Sequence, residues 1–122
     1  MYSNYEETRA YVASGDLSAL QFRAIDLVGQ FKIGHATAGR AFGILLNKPL
    51  TGEHAVVAVR GEIQVRVGSG GVVAGDQVTA TLSGWVQKTT AGEIVDNLGR
   101  AVTTTASGHI AVVDLNVTRT SS

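Results

Sequence analysis

The sequence predicts an all-β fold: a single small domain, β-barrel-like or β-sandwich-like, with short turns, a flexible N-terminal arm and little or no helix. The chain has 122 residues, including 15 glycines and one proline. Its second half is rich in Val, Thr and Gly, which favour strands and turns. Apolar residues alternate from Ala55 to Val59 and, beyond Gly61, from Ile63 to Val67. This period of two indicates a strand with one buried face.

Composition excludes several classes of function. The chain has no cysteine, which excludes disulfides and thiolate metal sites. Its 10 basic and 10 acidic residues balance, whereas nucleic-acid-binding proteins usually show a basic excess. No apolar run approaches the roughly 20 residues of a membrane span, and the N-terminus lacks the pattern of a secretion signal. We therefore expect no nucleic-acid or membrane partner, and a chain that is intracellular and soluble at synthesis.

Residues 1–13 are polar apart from a few side chains and show no clear period. The simpler interpretation is a loose chain end. The alternative is an arm that docks on a partner through Tyr2, Tyr5 and Tyr11, because a tyrosine ring is apolar while its hydroxyl can still form a hydrogen bond. The predicted organisation is an arm over residues 1–13, a β domain over residues 14–117 and a polar tail over residues 118–122.

The first half of the predicted domain contains a hairpin and a short buried strand. Strands at about residues 20–27 and 30–33 form the hairpin. The compact apolar run of residues 41–46 is too short for a helix and leads to a turn at Pro49.

A long strand follows, in two halves at residues 54–59 and 62–67. Gly61 separates the halves, and glycine inside a strand suggests a bulge or a sharp bend. The bend would let one ribbon join the two halves of a barrel. We assign the turns and bends of the whole domain to seven residues: Gly43, Pro49, Gly52, Gly61, Gly75, Asp76 and Gly99.

The second half of the predicted domain contains a further hairpin and two closing strands. Residues 78–82 and 85–88 form the hairpin, and strands at residues 98–102 and 108–115 follow. Asp76 lies in a tight turn, where a short carboxylate bonds neighbouring backbone amides.

Two short segments recur along the chain. Residues 39–41 (GRA) return at 99–101, and residues 52–57 (GEHAVV) have an echo at 108–113 (GHIAVV). These matches predict two related hairpins, in which His54 and His109 occupy equivalent strand starts. Chance similarity is the alternative, because Gly, Ala and Val are abundant.

No constellation of catalytic or metal-binding residues stands out. His35, His54 and His109 lack any metal-binding spacing; partly exposed positions at strand starts are the simpler interpretation, and a metal or pH-sensing role is the alternative. The serines lie in no nucleophile elbow, and the glycine-rich residues 68–71 lack the Lys-Ser/Thr of a phosphate loop. We therefore predict no catalytic, cofactor-binding or metal-binding residue and expect the protein not to be an enzyme.

Several turn and strand segments follow one another in a specific order, from residue 16 to residue 115: Asp16–Ala19, Gly43–Pro49 with Gly52-Glu53, Val57–Gly61, Val65–Gly68, Val73–Thr79 and Leu98–Ala101. Their order and spacing resemble the small head-decoration, or capsid cement, proteins of tailed bacteriophages. Residues 1–13 match no pattern of this family.

The resemblance implies a compact barrel-like domain that forms a homotrimer on the outer surface of the phage capsid. Such proteins bind at three-fold and quasi-three-fold positions after the shell expands, and they hold neighbouring copies of the major capsid protein together. The implied location is the virion, after synthesis in the host cytoplasm. The resemblance implies neither a catalytic residue nor a cofactor.

Three other functions are considered. A phage tail or fibre component is the nearest. A small-barrel carrier module of the biotinyl or lipoyl type would share a turn such as residues 74–76, but it needs a lysine at a hairpin tip, and neither Lys48 nor Lys88 has suitable neighbours. An enzyme is the weakest, because no acid–base constellation is visible.

Overall fold

The computed structural model describes residues 7–36, 40–68, 70–81, 84–89 and 96–119. These residues form no α-helix and a single nine-stranded sheet, so the predicted all-β single domain is confirmed. None of them belongs to a helix long and apolar enough to cross a membrane. The strands are β1 (Glu7–Ala13), β2 (Ala24–Gly29), β3 (Lys32–His35), β4 (Gly43–Leu45), β5 (His54–Arg66), β6 (Gln77–Ala80), β7 (Val86–Lys88), β8 (Asp96–Ala101) and β9 (Ile110–Arg119).

Five strands close a first barrel. β1 pairs with β3, β3 with β2, β2 with β4 and β4 with β5, and β5 returns to β1. The β1–β3 pairing is parallel and the other four are antiparallel. Closure pairs every strand on both sides and so removes the free edges at which sheets aggregate.

The second half of the chain repeats this arrangement. β5 pairs with β9, β9 with β8, β8 with β6 and β6 with β7, all antiparallel. Val67, directly after β5, forms a parallel bridge with Val86 of β7 and completes the ring. β5 is therefore the last strand of the first barrel and the first strand of the second. The exchange of partners occurs at Arg60, next to Gly61, whose φ of 112° suits glycine and fits the bend predicted there.

The two barrels agree in register residue by residue. The pair Leu45–Val57 of β4–β5 corresponds to the pair Ala101–Val113 of β8–β9, with the same number of residues between partners. The β2–β3 and β6–β7 hairpins also have equal spans. The equivalent residues used below, with the first-barrel residue first, are Leu20 and Val73, Arg23 and Asp76, Ala24 and Gln77, Leu27 and Ala80, Val28 and Thr81, Phe31 and Gly84, Lys32 and Trp85, and Gly43 and Gly99.

Backbone conformation follows the same correspondence. Among the described residues, Phe22 and Phe31 are the two non-glycine residues with positive φ, at 67° and 57°. The residues equivalent to them are Gly75 and Gly84, with φ of 95° and 83°. Because positive φ is unfavourable for side chains other than glycine, its recurrence at equivalent positions indicates that the two barrels are copies of one structural unit.

The repeat exists, but part of its predicted alignment was wrong. Gly99 corresponds to Gly43 and not to Gly39, which lies outside the described residues. Gly43 and Gly99 also share a packing role: an added Cβ would collide with the carbonyl oxygen of Ala58 at one and of Asp114 at the other. The short GRA match reflects common residue types, whereas the strand register is set by this close approach of neighbouring strands.

The predicted equivalence of the two histidines was also wrong, by one residue. His54 is the first residue of β5, and its equivalent is Ile110, the first residue of β9. The equivalent of His109 is Glu53, because their carbonyls accept the hydrogen bonds that close the same turn in each barrel.

Each barrel has its own apolar core. The first core consists of buried residues from all five strands and their connections: Ala13, Leu17, Leu20, Ile25, Ile33, Leu45, Ala55 and Val57. The second core contains the equivalent of each of these except Leu20, and it extends into the junction between the barrels through Ala24, Ile44 and Ala58. The equivalent of Leu20 is Val73, which is 58% exposed.

Both ends of the predicted domain differ from the structure. Glu7–Ala13 is strand β1, paired with β3 and β5, so this half of the predicted flexible arm is an integral part of the first barrel. The strand was not recognised from the sequence, because Thr8 and Arg9 are both exposed and polar and give no alternation of buried and exposed residues. At the other end, β9 continues to Arg119, within the predicted tail. Residues 1–6 and 120–122 lie outside the described residues.

Candidate interaction surfaces

The two barrels touch each other at a junction beside the shared strand. The guanidinium of Arg23, just before β2, lies over the ring of Trp85, with its Cζ 4.0 Å from the ring centre. Gly84 packs so closely on the start of β2 that an added Cβ would collide with the carbonyl oxygen of Ala24. The start of β2 in the first barrel therefore contacts the β6–β7 hairpin of the second.

Arg66, at the end of β5, strengthens this junction. Its backbone N–H donates to the carbonyl oxygen of Phe22 at 2.8 Å, and its Nε donates to that of Gln21 at 3.3 Å. Burial, together with the charge of Arg66, lowers the pKa of Arg23, although a guanidinium remains protonated in proteins. The buried Nε of Arg23 has no hydrogen-bond partner among the described residues.

An apolar surface lies at the tip of the β2–β3 hairpin. Leu27, Val28 and Phe31, which we call the tip surface, are 41%, 53% and 66% exposed. Tyr11 of β1 supports it from behind: its ring stacks on Phe31, with centres 6.5 Å apart, and meets Phe42 edge to face at 5.4 Å. Adjacent exposed apolar side chains of this size are typical of interaction surfaces.

A second surface lies at the start of β6 in the other barrel. Residues 73–77, which we call the edge surface, are exposed except for Asp76, which is partly buried. The Oδ2 of Asp76 accepts a hydrogen bond from the backbone N–H of Val73 at 2.9 Å, and its Oδ1 lies 4.0 Å from the Nζ of Lys88. Beside this surface is a concavity of about 380 Å³, lined by Gly70, Gly71, Val72, Val73, Asp76, Gln87 and Lys88.

Another concavity, of about 480 Å³, lies beside the junction. Its lining residues are all uncharged: Val67, Gly68, Thr81, Trp85, Gln87, Ser107 and Gly108. General acid–base catalysis needs a positioned titratable group, and this lining offers none.

The predicted contact tyrosines do not form one site. Tyr2 and Tyr5 lie outside the described residues. Tyr11 is half-buried in β1 and packs against the first core. It therefore belongs to the barrel itself and supports the tip surface.

The seven predicted turn and bend residues are spread over both barrels. Gly43 and Gly99 lie at close approaches between strands, and Gly75 and Asp76 lie in the edge surface. Gly61 lies in β5, next to the point where this strand exchanges partners.

The other two of these residues lie around the turn before β5. Pro49 is buried, and its carbonyl oxygen accepts a hydrogen bond from the backbone N–H of Leu17 at 3.0 Å. Gly52 has a φ of 82°, and its N–H donates to the carbonyl oxygen of Ala13 at 2.9 Å. Both residues therefore connect this turn to the N-terminal part of the first barrel.

The side chains considered as metal-binding or catalytic candidates also lie far apart. His35, His54 and His109 are exposed, and the described residues contain no group of three or more His, Asp or Glu that could hold a metal ion. Ser18 donates to the Oδ1 of Asp16 from both its hydroxyl, at 2.7 Å, and its backbone N–H, at 3.0 Å. These hydrogen bonds lower the pKa of Asp16 and define a turn.

Sequence reasoning missed the tip and edge surfaces. The signal for the tip surface was present, because Leu27, Val28 and Phe31 surround a hairpin turn, where polar residues are usual. The edge surface had no such signal in the sequence. The exposure of Val73 is notable only by comparison with Leu20, its buried equivalent in the first barrel.

Comparison with known proteins concerns the fold. No protein-family profile matches the chain, and no curated protein matches it. Among solved structures, the fold is similar to that of the head fiber gp8.5 N base of bacteriophage phi29, with a TM-score of 0.70 and 18% sequence identity. The match covers 96% of this chain and 99% of that one.

Proposed function

We propose that this protein is a structural component of a phage head. In this proposal it binds the major capsid protein on the outer surface of the shell, as a trimer at three-fold and quasi-three-fold positions, and stabilises the expanded head. The observation that carries the proposal is the fold, which is shared over nearly the whole length of both chains with the base of a phage head fiber.

The physical character of the molecule supports this role. A closed barrel shares strand β5 with a second barrel, whose ring is joined by the bridge between Val67 and Val86, and this makes a stiff module. Charged residues are only 16% of the chain, so little side-chain entropy is lost on docking. Attachment of a trimer at three points would turn a modest contact into tight binding.

The test uses heads of the phage that encodes the protein. Purified protein is mixed with expanded and with unexpanded heads, the heads are pelleted, and bound protein is located by electron microscopy. We expect binding to expanded heads at every three-fold and quasi-three-fold position, and release of the packaged DNA at a higher temperature than from undecorated heads. Absence of binding to expanded heads would overturn the proposal.

A fibre component is the second candidate, because the similar solved structure is the base of a head fiber. The same images distinguish the two. Density that continues outward from each bound copy supports a fibre base, and density confined to one vertex supports a tail part. Low, compact density repeated over the shell supports decoration.

A further inference from the structure

In each barrel, one surface lacks a contact that the equivalent surface of the other barrel makes. In the second barrel, the tip of the β6–β7 hairpin is covered by the start of β2: Ala80 is 1% exposed and Gly84 is buried. The equivalent tip in the first barrel is the tip surface, where Leu27 is 41% and Phe31 66% exposed.

The other half of the contact shows the same asymmetry. At the start of β2, Ala24 is fully buried against the second barrel. Its equivalent at the start of β6 is Gln77, in the edge surface, and Gln77 is exposed. The chain therefore contains one complete contact between its two barrels. It also exposes two surfaces, one on each barrel, that are equivalent to the two sides of that contact.

We propose that a second copy of this chain supplies the missing half, so that the tip surface of one copy packs on the edge surface of the next. The contact between copies would then pair the same elements as the junction within each chain, but at a wider spacing, because Phe31 carries a Cβ where the junction has Gly84. It is head-to-tail, because each copy uses two different surfaces, and such contacts close into rings when the rotation between copies permits. This inference rests on the trimer of the proposed function and assigns its contacts.

The two surfaces are suited to each other in shape and polarity. Phe31 takes the place of Gly84, so the contact between copies must accommodate an aromatic ring where the junction accommodates no side chain. The concavity of about 380 Å³ beside Val73 offers that room. Leu27 and Val28 would then cover Val73, which is 58% exposed in the single chain. Mutual burial of apolar side chains is the main driving force of such association.

Charge is complementary at the same place. Within the chain, Arg23 lies over Trp85. The equivalent pair between copies is Asp76 of the edge surface and Lys32 beside the tip surface, which have opposite charges. Asp76 already lies 4.0 Å from Lys88, so its carboxylate would be shared by two lysines. Opposite charges at an interface favour the correct partner and register.

Site-directed cross-linking tests the direction of the contact, because the chain contains no cysteine. Val28→Cys labels the tip surface, and Ala74→Cys labels the edge surface. With a short bismaleimide we expect covalent oligomers from the double variant, covalent dimers from a mixture of the two single variants, and no product from either single variant alone. Products from a single variant alone would show a two-fold contact, and an absence of products in every sample would also overturn the proposal.

Substitutions test which residues stabilise the contact. Phe31→Asn removes the ring while keeping a residue that tolerates positive φ, and Val73→Asp places a charge in the edge surface. We expect each variant to weaken self-association about tenfold or more, toward the mass of 12.7 kDa of a single chain in sedimentation experiments. Leu50→Asn is the control, because Leu50 is 52% exposed but lies on neither surface. Loss of association in this control, or unchanged association in the other two, would contradict the assignment.

A mixture of the two variants isolates a single intact contact. The Phe31→Asn chain retains its edge surface and the Val73→Asp chain retains its tip surface, so we expect dimers from the mixture and monomers from each alone. Far-UV circular dichroism confirms that both variants are folded. If the Val28→Cys and Ala74→Cys chains cross-link with each other but the wild-type protein does not bind expanded heads, the proposed function fails and this contact stands. If the wild-type protein binds heads but the two cysteine variants do not cross-link, the proposed function stands and this contact fails.

Discussion

Phe31 and Gly84 occupy the same position in the two barrels and share a left-handed backbone conformation, with φ of 57° and 83°. This conformation costs a residue with a side chain about 1–2 kcal/mol. At Gly84 it allows close contact with Ala24, whereas at Phe31 it presents an aromatic ring to solvent. One unit of structure thus serves two purposes, an internal junction in one copy and an exposed surface in the other.

The junction predicts unequal effects of two glycine substitutions. Gly75 and Gly84 both have positive φ, so alanine at either costs about 1–2 kcal/mol in backbone strain. Around Gly75 an added Cβ meets nothing within 4 Å, whereas at Gly84 it collides with the carbonyl oxygen of Ala24. In urea unfolding we expect Gly84→Ala to lose about 2 kcal/mol more than Gly75→Ala. Equal losses would show that the barrels are not in tight contact.

The repeat predicts large effects at both Gly43 and Gly99. Each lies where an added Cβ collides with a carbonyl oxygen of the neighbouring strand. We expect alanine to lower the free energy of unfolding by about 3 kcal/mol at Gly43. At Gly99 we expect a loss about 1–2 kcal/mol larger, because its φ of 144° strains any residue with a side chain. Gly15→Ala is the control, because its Cβ would meet nothing within 4 Å. A variant at either position as stable as this control would contradict the register assigned to that barrel.

The shared strand predicts that the two barrels unfold together. Val57 and Val113 are equivalent and fully buried, and replacement of either by alanine removes two methyl groups, worth about 2 kcal/mol with the cavity that remains. Trp85, the only tryptophan, lies in the second barrel. We expect Val57→Ala, in the first barrel, to lower the denaturation midpoint seen by tryptophan fluorescence as much as the midpoint seen by circular dichroism. A fluorescence midpoint unchanged by Val57→Ala would show independent barrels.

Opposing contributions at Arg23 predict a small net effect of removing its charge. Its contact with Trp85 is worth about 1 kcal/mol. Its buried, unpartnered Nε and the nearby charge of Arg66 oppose folding by a similar amount. Arg23→Met keeps an apolar stem over the ring, and we expect its stability to lie within about 1 kcal/mol of the wild type. Arg23→Ala, which also loses the stem, should be clearly less stable; the reverse order would contradict this assignment.

The turn at Asp16 predicts a small dependence of stability on pH. Hydrogen bonds from Ser18 lower the pKa of Asp16 from its ordinary value of 3.8. The ionised carboxylate therefore contributes stability above pH 3.8, and this contribution is lost as pH falls through the lower pKa of the folded state. In an NMR titration we expect Ser18→Ala to move the pKa of Asp16 up toward 3.8, and Ser18→Thr to leave it low. An unchanged value in Ser18→Ala would rule out the hydroxyl as the main cause.

The sequence was sufficient to predict the fold class and most strands, but not the topology. The period of two revealed both halves of β5, and Gly61 lies beside the point where this strand exchanges partners. β1 was missed because it begins with the polar residues 7–9 and its place in the barrel depends on pairing with β5, far along the chain. The similarity of the two barrels could not be recognised from the sequence, because residues with equivalent conformations, such as Phe31 and Gly84, differ in identity. The two surfaces could not be predicted, since exposure depends on what the rest of the fold covers.

β5 also determines how the molecule would carry a mechanical load. At about 3.3 Å per residue, its 13 residues extend through both barrels as one continuous backbone. A force that pulls the barrels apart along this strand must slide it against β1 and β4 in one barrel or against β9 in the other, so that many hydrogen bonds are strained at once rather than one after another. The strand order thus gives the molecule one mechanically strong axis, the direction of β5.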